Sequence, residues 1–253
     1  MTALSGPTGR QMNHMKKGDA RRGELLATAE RLFYTKGYEK TSVQDILTEM
    51  NFSKGGFYHH FDSKLAVLEA ICEMRAQESC ALAERAAAQA EGSASDKLNA
   101  VLKDSAMLAG GNTGFVSLML QVAYREDGAL MREKMKTCQL GCMQAVLEQI
   151  LKEGAAKGEF FVTDVPATAE MILRTHLQFT DEIAFLLARE DSEEKVLEEA
   201  IRKLNVYRTA IERILIAPFG SIVLMEPKEL QLLTANILRD RVRRRADELL
   251  AKN

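Results

Sequence analysis

The segment from Ser53 to Lys64 constrains the fold of this chain more than any other stretch of its sequence. It reads Ser-Lys-Gly-Gly-Phe-Tyr-His-His-Phe-Asp-Ser-Lys, and Ser53 is a typical N-cap for a short helix over residues 54–60. Just before it, residues 41–50 place apolar side chains at helical spacing, and Asn51 tolerates the left-handed conformation that ends many helices. Two short helices joined by a tight turn form a helix-turn-helix, whose second helix can enter a DNA major groove.

The rest of the chain is also predicted to be helical. Apolar positions recur at helical spacing, glycine and proline breaks separate the runs, and no alternation typical of a strand has a useful length. After a first helix that Gly37 ends, we expect helices over 63–90, 95–109, 115–126, 128–157, 166–190, 193–216 and 228–251. Residues 1–18 include three Gly, one Ser and two Lys and are predicted to form a disordered arm. The sequence therefore predicts an all-α fold.

Charge and composition narrow the class of protein. The net charge of this 253-residue chain is −2, which is unusual for a protein that coats nucleic acid indiscriminately. Residues 1–68 carry ten Lys and Arg against seven Asp and Glu, so the basic excess lies at the N-terminal end. No apolar run approaches the length of a membrane span, and no signal-peptide core precedes the first helix. We expect a cytoplasmic protein with reduced cysteines.

Residues 21–73 resemble the DNA-binding domain of the tetracycline-repressor (TetR) family. Spacing and residue type agree over about fifty positions, a fifth of the chain, and two departures are small: Asn51 stands where the family usually has Gly, and Leu65 where Glu is common. The matching residues are Ala29-Glu30-Arg31-Leu32-Phe33, Lys36-Gly37-Tyr38, Thr41-Ser42-Val43, Asp45-Ile46, Ser53 to Phe61, and Ser63-Lys64.

The resemblance implies a set of DNA contacts at the helix-turn-helix. Hydroxyl groups and helix N-termini bind phosphates, lysine binds phosphate or guanine, and glycine lets a backbone approach the duplex closely. The predicted DNA-binding residues are Thr41, Ser42, Ser53, Lys54, Gly55, Gly56, Tyr58, His59, His60 and Lys64. Phe57 and Phe61 are predicted to lie in the core.

The resemblance also implies three regions: the arm (1–18), a three-helix helix-turn-helix domain (19–66), and a helical ligand-binding and dimerisation domain (67–253) with an extra C-terminal helix. The homodimer is expected through residues 166–216, where apolar stripes include Leu173 and Ile211. Methionines adapt to irregular cavities, and polar groups interrupt the apolar helix 166–190. The predicted ligand-binding residues are Phe115, Met119, Tyr124, Met135, Met143, His176 and Gln178.

No pattern of catalytic residues points to an enzyme. The sequence has no GxSxG, HExxH or phosphate-binding glycine loop, and we expect no metal and no cofactor. Cys138 and Cys142 share a helix face, which leaves open a thiol- or metal-based redox sensor or a helical enzyme built around them.

These observations predict a transcriptional repressor that binds double-stranded operator DNA of pseudo-palindromic sequence. A small-molecule effector is expected to release the protein from its operator.

Overall fold

A computed structural model describes residues 9–105, 113–124 and 129–250 of the chain. Within these ranges the backbone forms ten α-helices and no strand, which confirms the predicted all-α fold. The predicted helix ends at 109 and 126, and residues 1–8 of the arm, lie outside the described residues. The helices are α1 (Gly9–Lys36), α2 (Val43–Met50), α3 (Lys54–His60), α4 (Lys64–Gln89), α5 (Ala94–Ser105), α6 (Thr113–Val122), α7 (Ala129–Ala156), α8 (Val165–Ala188), α9 (Glu193–Leu215) and α10 (Pro227–Leu250).

Helix α1 begins earlier than the sequence predicts. Residues 9–18 are helical, although we expect a disordered arm up to residue 18. This stretch has no proline and contains Arg, Gln, Met and Lys, which have good helix propensity, so it extends the first helix. The other end is as predicted: Gly37 adopts a φ of 89°, and its N–H donates to the Phe33 carbonyl at 3.1 Å.

The chain divides into two compact units, Met1–Cys72 and Glu73–Asn253, which we call the N-terminal and C-terminal units. The boundary lies inside helix α4, whereas the sequence places it after residue 66. A continuous helix crosses the boundary and the sequence shows no linker there, so composition alone does not locate it.

The N-terminal unit is built on the inner face that the sequence predicts for α1. Helix α1 packs against α2, and the Phe57 and Phe61 rings lie 6.3 Å apart between their centroids. Both phenylalanines are buried, as predicted. This core anchors α3 by one side and leaves its opposite side exposed. The buried residues are Leu25, Leu26, Ala29, Leu32, Phe33, Ile46, Leu47, Phe57, Phe61, Val67, Leu68 and Ile71.

Helix α8 lies at the centre of the C-terminal unit. Helices α7 and α9 pack against it, and 12 of its 24 residues are buried. Leu173 and Ile211, which the sequence assigns to a dimer seam, are 1% and 0% exposed and pack in the core of the subunit itself. That assignment is wrong, because α7 and α10 cover faces that the sequence leaves for a second copy. The apolar side chains of α8 and α9 that stay exposed include Met171 and Val206.

The extra C-terminal helix, α10, packs on α6, α8 and α9. Leu230, Leu233 and Ile237 are buried there. The Arg241 guanidinium donates to the carbonyl of Leu187 at 3.1 Å and also to the carbonyl of Arg189, at the C-terminal end of α8. A cation at that end donates hydrogen bonds to carbonyls that lack helical partners, and it interacts favourably with the helix dipole.

A disulfide joins Cys80 on α4 to Cys142 on α7, across 62 residues of sequence. The sequence suggests that Cys138 and Cys142 could form a thiol site together. In the structure Cys142 is bonded to Cys80 instead. Cys138 and Cys142 are one turn apart on α7, whereas the neighbouring α4 brings Cys80 within reach. Cys138 remains a half-buried thiol, whose pKa is raised by burial and then by the charge of Glu73.

Candidate nucleic-acid interface

Two capped helices, α2 and α3, build the candidate interface. Ser42 Oγ accepts a hydrogen bond from the Asp45 N–H (3.1 Å), and the Asp45 carboxylate accepts one from the Ser42 N–H (2.8 Å), which is a capping box. Helix α2 ends at Asn51, whose left-handed φ of 49° agrees with the prediction. Ser53 Oγ then accepts from the Gly56 N–H at 3.1 Å and begins α3. The caps fix both ends of the turn and therefore the direction of α3.

The capping box is reinforced by a charge. Lys36 Nζ lies 2.8 Å from Asp45 Oδ1, and the pKa of Asp45 is held well below its usual range, first by this hydrogen bond and then by Ser42. Asp45 therefore stays ionised through neutral and mildly acidic pH, and the N-terminus of α2 keeps its cap there.

Helix α3 turns one polar face to solvent. Lys54, Gly55, Tyr58 and His59 are exposed, and their spacing places them on the same side of the helix; we call them the α3 outer face. Tyr58 keeps 55% of its surface exposed, and Lys54 makes no ion pair among the described residues. His60 is half-buried at the edge of this face, with its ring 5.2 Å from that of His59. The α3 outer face is thus free for a partner molecule.

The two glycines of α3 have different surroundings. A Cβ at Gly56 would lie 2.7 Å from Cζ of Phe52, so this position is kept small by the Phe52 ring. A Cβ at Gly55 would meet nothing within 4 Å. Glycine weakens a helix by about 1 kcal/mol relative to alanine, and at Gly55 no internal packing explains that loss. The space beside Gly55 is therefore open.

Thr41 is not part of the interface, which corrects the prediction for this residue. Its side chain is fully buried, and its hydroxyl donates to the Gly37 carbonyl at 2.8 Å. Thr41 therefore stabilises the end of α1 and does not bind a phosphate. The hydroxyl of Ser42 remains exposed but is already hydrogen-bonded to Asp45.

Lys64 already has partners inside the N-terminal unit. Its ammonium donates to the Tyr38 carbonyl at 2.8 Å and lies 4.1 Å from the centroid of the Tyr38 ring. These contacts hold the start of α4 against the end of α1. A phosphate contact by Lys64 would have to share the ammonium with Tyr38.

Three of the predicted ligand-binding residues are core positions. Met119, Met143 and His176 are 0%, 2% and 1% exposed, respectively, and each is buried within the C-terminal unit. Burial lowers the pKa of His176 to about 4, so the imidazole is neutral at physiological pH. Met135 is half-buried, and the side chain of Phe115 lies outside the described residues.

Tyr124 belongs to a polar cluster that the sequence does not predict. Its hydroxyl donates to Asp181 Oδ1 at 2.7 Å, and Lys136 pairs with the other oxygen of this buried carboxylate. Burial, and then the charge of Asp181, raises the pKa of Tyr124, so the phenol keeps its proton. Asp181 lies four residues after Leu177 and three before Ala184, and both of these residues are buried. An acidic residue at a core position of the helical pattern is the sequence signal that could have predicted this cluster.

A cleft of about 450 Å³ lies beside this cluster, between α7, α8 and α9. Gln178 lines it, as does Lys136, and Tyr207 closes one side. The remaining lining residues are Glu133, Leu140, Arg174, Thr175 and Leu177.

Among the described residues, no three His, Cys, Asp or Glu side chains are grouped so that they could hold a metal ion. In the same residues, no helix is long and apolar enough to cross a membrane.

Comparison with known proteins places the similarity in the N-terminal unit. Residues 25–71 match the profile of "Bacterial regulatory proteins, tetR family". Over 49 residues the chain is 47% identical to the uncharacterized HTH-type transcriptional regulator YerO of Bacillus subtilis, a match that spans 19% of this chain and 17% of YerO. It is 39% identical over 46 residues to IcaR of Staphylococcus aureus, named a negative transcriptional regulator of the icaADBC biofilm operon; that match spans 18% of this chain and 25% of IcaR.

The fold as a whole resembles solved structures. A TetR-family transcriptional regulator from Pectobacterium atrosepticum superposes with a TM-score of 0.57 at 19% identity, covering 80% of this chain and 98% of that protein. At this identity the likeness concerns the fold alone. The three similar proteins are named as transcriptional regulators, and none is named as an enzyme.

Proposed function

We propose that this chain, which belongs to the tetR family of bacterial regulatory proteins, binds operator DNA through helix α3 and regulates transcription. The observation that carries the proposal is the α3 outer face. One side of α3 presents Lys54, Gly55 and the exposed Tyr58, and a Cβ at Gly55 would meet open space. The opposite side of the helix is packed in the core. Such a face supplies a cation for phosphate or guanine and a backbone that a duplex can approach.

In this proposal some of the predicted DNA-binding residues contact the duplex directly, and others act by holding α2 and α3 in place. Lys54, Tyr58 and His59 act directly on the duplex, and half-buried His60 acts from the edge of the face. Ser42 and Ser53 act mainly as caps, since their hydroxyls are already bonded to α2 and α3, while the amides at these helix N-termini favour phosphate. Gly56 acts indirectly by making room for Phe52.

The protein acts as a homodimer in this proposal, with an operator whose half-sites are related by two-fold symmetry. The exposed apolar side chains of α8 and α9, including Met171, Ile201 and Val206, supply the dimer face. Regulation is by repression, as the name of IcaR states for that relative. A regulator of bacterial transcription acts at the chromosome, so the proposal places the chain in the cytoplasm.

A small-molecule effector binds the C-terminal unit and lowers operator affinity. Support comes from the α7–α9 cleft and from the buried charge of Asp181 beside it. An effector that competes for Lys136 would change how α7 and α8 are held together, because Lys136 pairs with Asp181 across these helices. Effector and operator then weaken each other's binding by the same factor.

The test is selection of duplexes from a random pool by the purified chain. The proposal predicts that selection enriches an inverted repeat, and that Tyr58→Ala loses affinity for it by a factor of about 5 to 150, the range of 1 to 3 kcal/mol for one DNA contact. Phe161→Ala is the matched control, because Phe161 is an aromatic residue of the C-terminal unit with 64% of its surface exposed. Enrichment of no sequence, or equal loss in both variants, would contradict the proposal.

A further inference from the structure

All four cysteines of the chain lie on two helices, α4 and α7. Cys72 and Cys80 belong to α4, and Cys138 and Cys142 belong to α7. The Cα atoms of Cys80 and Cys142 are 6.1 Å apart, within the range in which a disulfide forms without moving the backbone. The two helices therefore hold this cysteine pair at a distance that suits a disulfide.

We propose that Cys80 and Cys142 are a reversible redox modification site, oxidised to the disulfide by a hydroperoxide, and that the bond changes operator affinity. The regulatory part rests on the function proposed above. In a reducing cytoplasm a disulfide is usually transient and redox-sensing rather than structural. A bonded pair in a chromosomal regulator fits that use.

The exposure of the two sulfurs sets the order of the reaction. Cys142 is partly exposed, whereas Cys80 is 5% exposed, so the hydroperoxide reaches Cys142 first. The Cys142 thiolate attacks the peroxide oxygen, the O–O bond breaks, and a sulfenic acid and an alcohol or water form. Cys80 then attacks the Cys142 sulfur, the S–O bond breaks, and hydroxide leaves as water with the Cys80 proton. Two thiols lose two electrons, and the hydroperoxide gains them.

The other two cysteines are internal controls. Cys138 lies one turn before Cys142 and is also partly exposed, but it is a free cysteine, whereas Cys142 is bonded to Cys80. Cys72 is buried at the end of the N-terminal unit and takes no part in the bond. The geometry thus selects Cys142 and Cys80 from four candidates.

The bond restrains the helix that joins the two units. The chain passes from the N-terminal to the C-terminal unit inside α4, and Cys80 lies on the part of α4 that belongs to the C-terminal unit. When oxidised, this part of α4 is covalently tied to α7; when reduced, packing alone holds it. A change in its freedom is therefore transmitted along a continuous helix to the DNA-binding unit.

The experiment uses the full chain, reduced with dithiothreitol, freed of it and treated with hydrogen peroxide. Intact mass should fall by two hydrogen atoms, peptide mapping should find the Cys80–Cys142 bond, and dithiothreitol should reverse it. Cys80→Ser and Cys142→Ser should abolish the bond, while Cys138→Ser should retain it. A bond between other cysteines, or over-oxidation of Cys142 without a bond, overturns the site.

Operator affinity is then measured for the oxidised and reduced forms. The proposal expects a difference of at least about fivefold, reversed by dithiothreitol and absent in Cys80→Ser. Formation of the bond with a change below about twofold refutes the regulatory role. Absence of sequence-specific binding in both forms would instead refute the proposed function, and the mass and mapping results would still decide the modification site.

Discussion

Helix α3 of the N-terminal unit and helix α8 of the C-terminal unit use polar residues in opposite ways. Helix α3 has seven residues and turns Lys54, Gly55 and Tyr58 outward. Helix α8 has 24 residues and buries His176, Thr180 and Asp181 among apolar neighbours. The first arrangement offers groups to an external partner, whereas the second hydrogen-bonds Thr180 and Asp181 inside the molecule.

This difference in exposure decides whether a polar residue on a helix indicates a binding site. On α3 a partner gains contacts without displacing existing ones, so the sequence motif and the exposed surface point to the same use. On α8 a ligand must compete with contacts such as the hydrogen bond from Tyr124 to Asp181. A buried, satisfied polar cluster stabilises the fold first and becomes a binding site only if a ligand replaces those partners.

The largest expected effect concerns the outer side of α8 and α9. Met171→Glu combined with Val206→Glu should convert a dimer to monomers in sedimentation, because an uncompensated charge buried in an interface costs about 3 to 5 kcal/mol. Both side chains are more than half exposed in the subunit, so the fold should survive and helicity should remain. Dissociation of the variant would show that α8 also has an exposed face that binds a second subunit.

Leu232→Glu is the matched control, since Leu232 is 64% exposed on α10. If the control alone dissociates the protein, the interface lies on α10. If both variants remain dimers, the dimer face of α8 and α9 is wrong.

The next effect concerns the inward side of α8. The folded pKa of His176 is about 4, below its usual value near 6.5, so below pH 6.5 the unfolded chain binds this proton more readily. Stability should therefore fall as pH drops from about 6.5 to about 4, by up to roughly 3 kcal/mol. Urea unfolding at a series of pH values measures this slope.

His176→Gln should flatten that part of the pH profile, whatever its stability at neutral pH. Carboxyl groups of lowered pKa, such as Glu182, also lose stabilisation on acidification, but both proteins share this change. Identical slopes in the two proteins would mean that His176 is not buried in its neutral form.

The smallest effect compares the two glycines of α3. Gly55→Ala should raise the free energy of unfolding by about 0.5 to 1 kcal/mol, because alanine favours a helix and its Cβ meets open space. In Gly56→Ala the Phe52 ring must move, so this variant should be less stable than Gly55→Ala by about 1 kcal/mol. Thermal unfolding measures both.

Operator binding separates the roles of the same two positions. Gly55→Ala should bind DNA more weakly although it is more stable. Unchanged DNA affinity in Gly55→Ala would mean that the duplex does not approach this point of α3.

The sequence predicts the N-terminal unit well because its signals are local. The cap at Ser53, the left-handed Asn51 and the buried Phe57 each depend on neighbours within a few residues. Thr41 is the exception: its place in the sequence suits a phosphate contact, but the fold buries it against Gly37.

In the C-terminal unit the sequence predicts the helices but not their pairing. Helical period shows that Leu173 is buried, yet it cannot tell a subunit core from a dimer seam. The Tyr124–Asp181 hydrogen bond and the Cys80–Cys142 bond join residues 57 and 62 positions apart, respectively, and such pairs depend on which helices become neighbours.

The salt dependence of operator binding by Lys54→Ala tests the central claim most directly. If the α3 outer face binds the duplex, the variant should bind more weakly, and its log affinity should fall less steeply with log salt, by about one unit for each half-site that loses a phosphate contact. Lys228→Ala removes the same charge from an exposed position on α10 and should keep the wild-type slope. Equal affinity and equal slope in Lys54→Ala and the wild type would contradict the account.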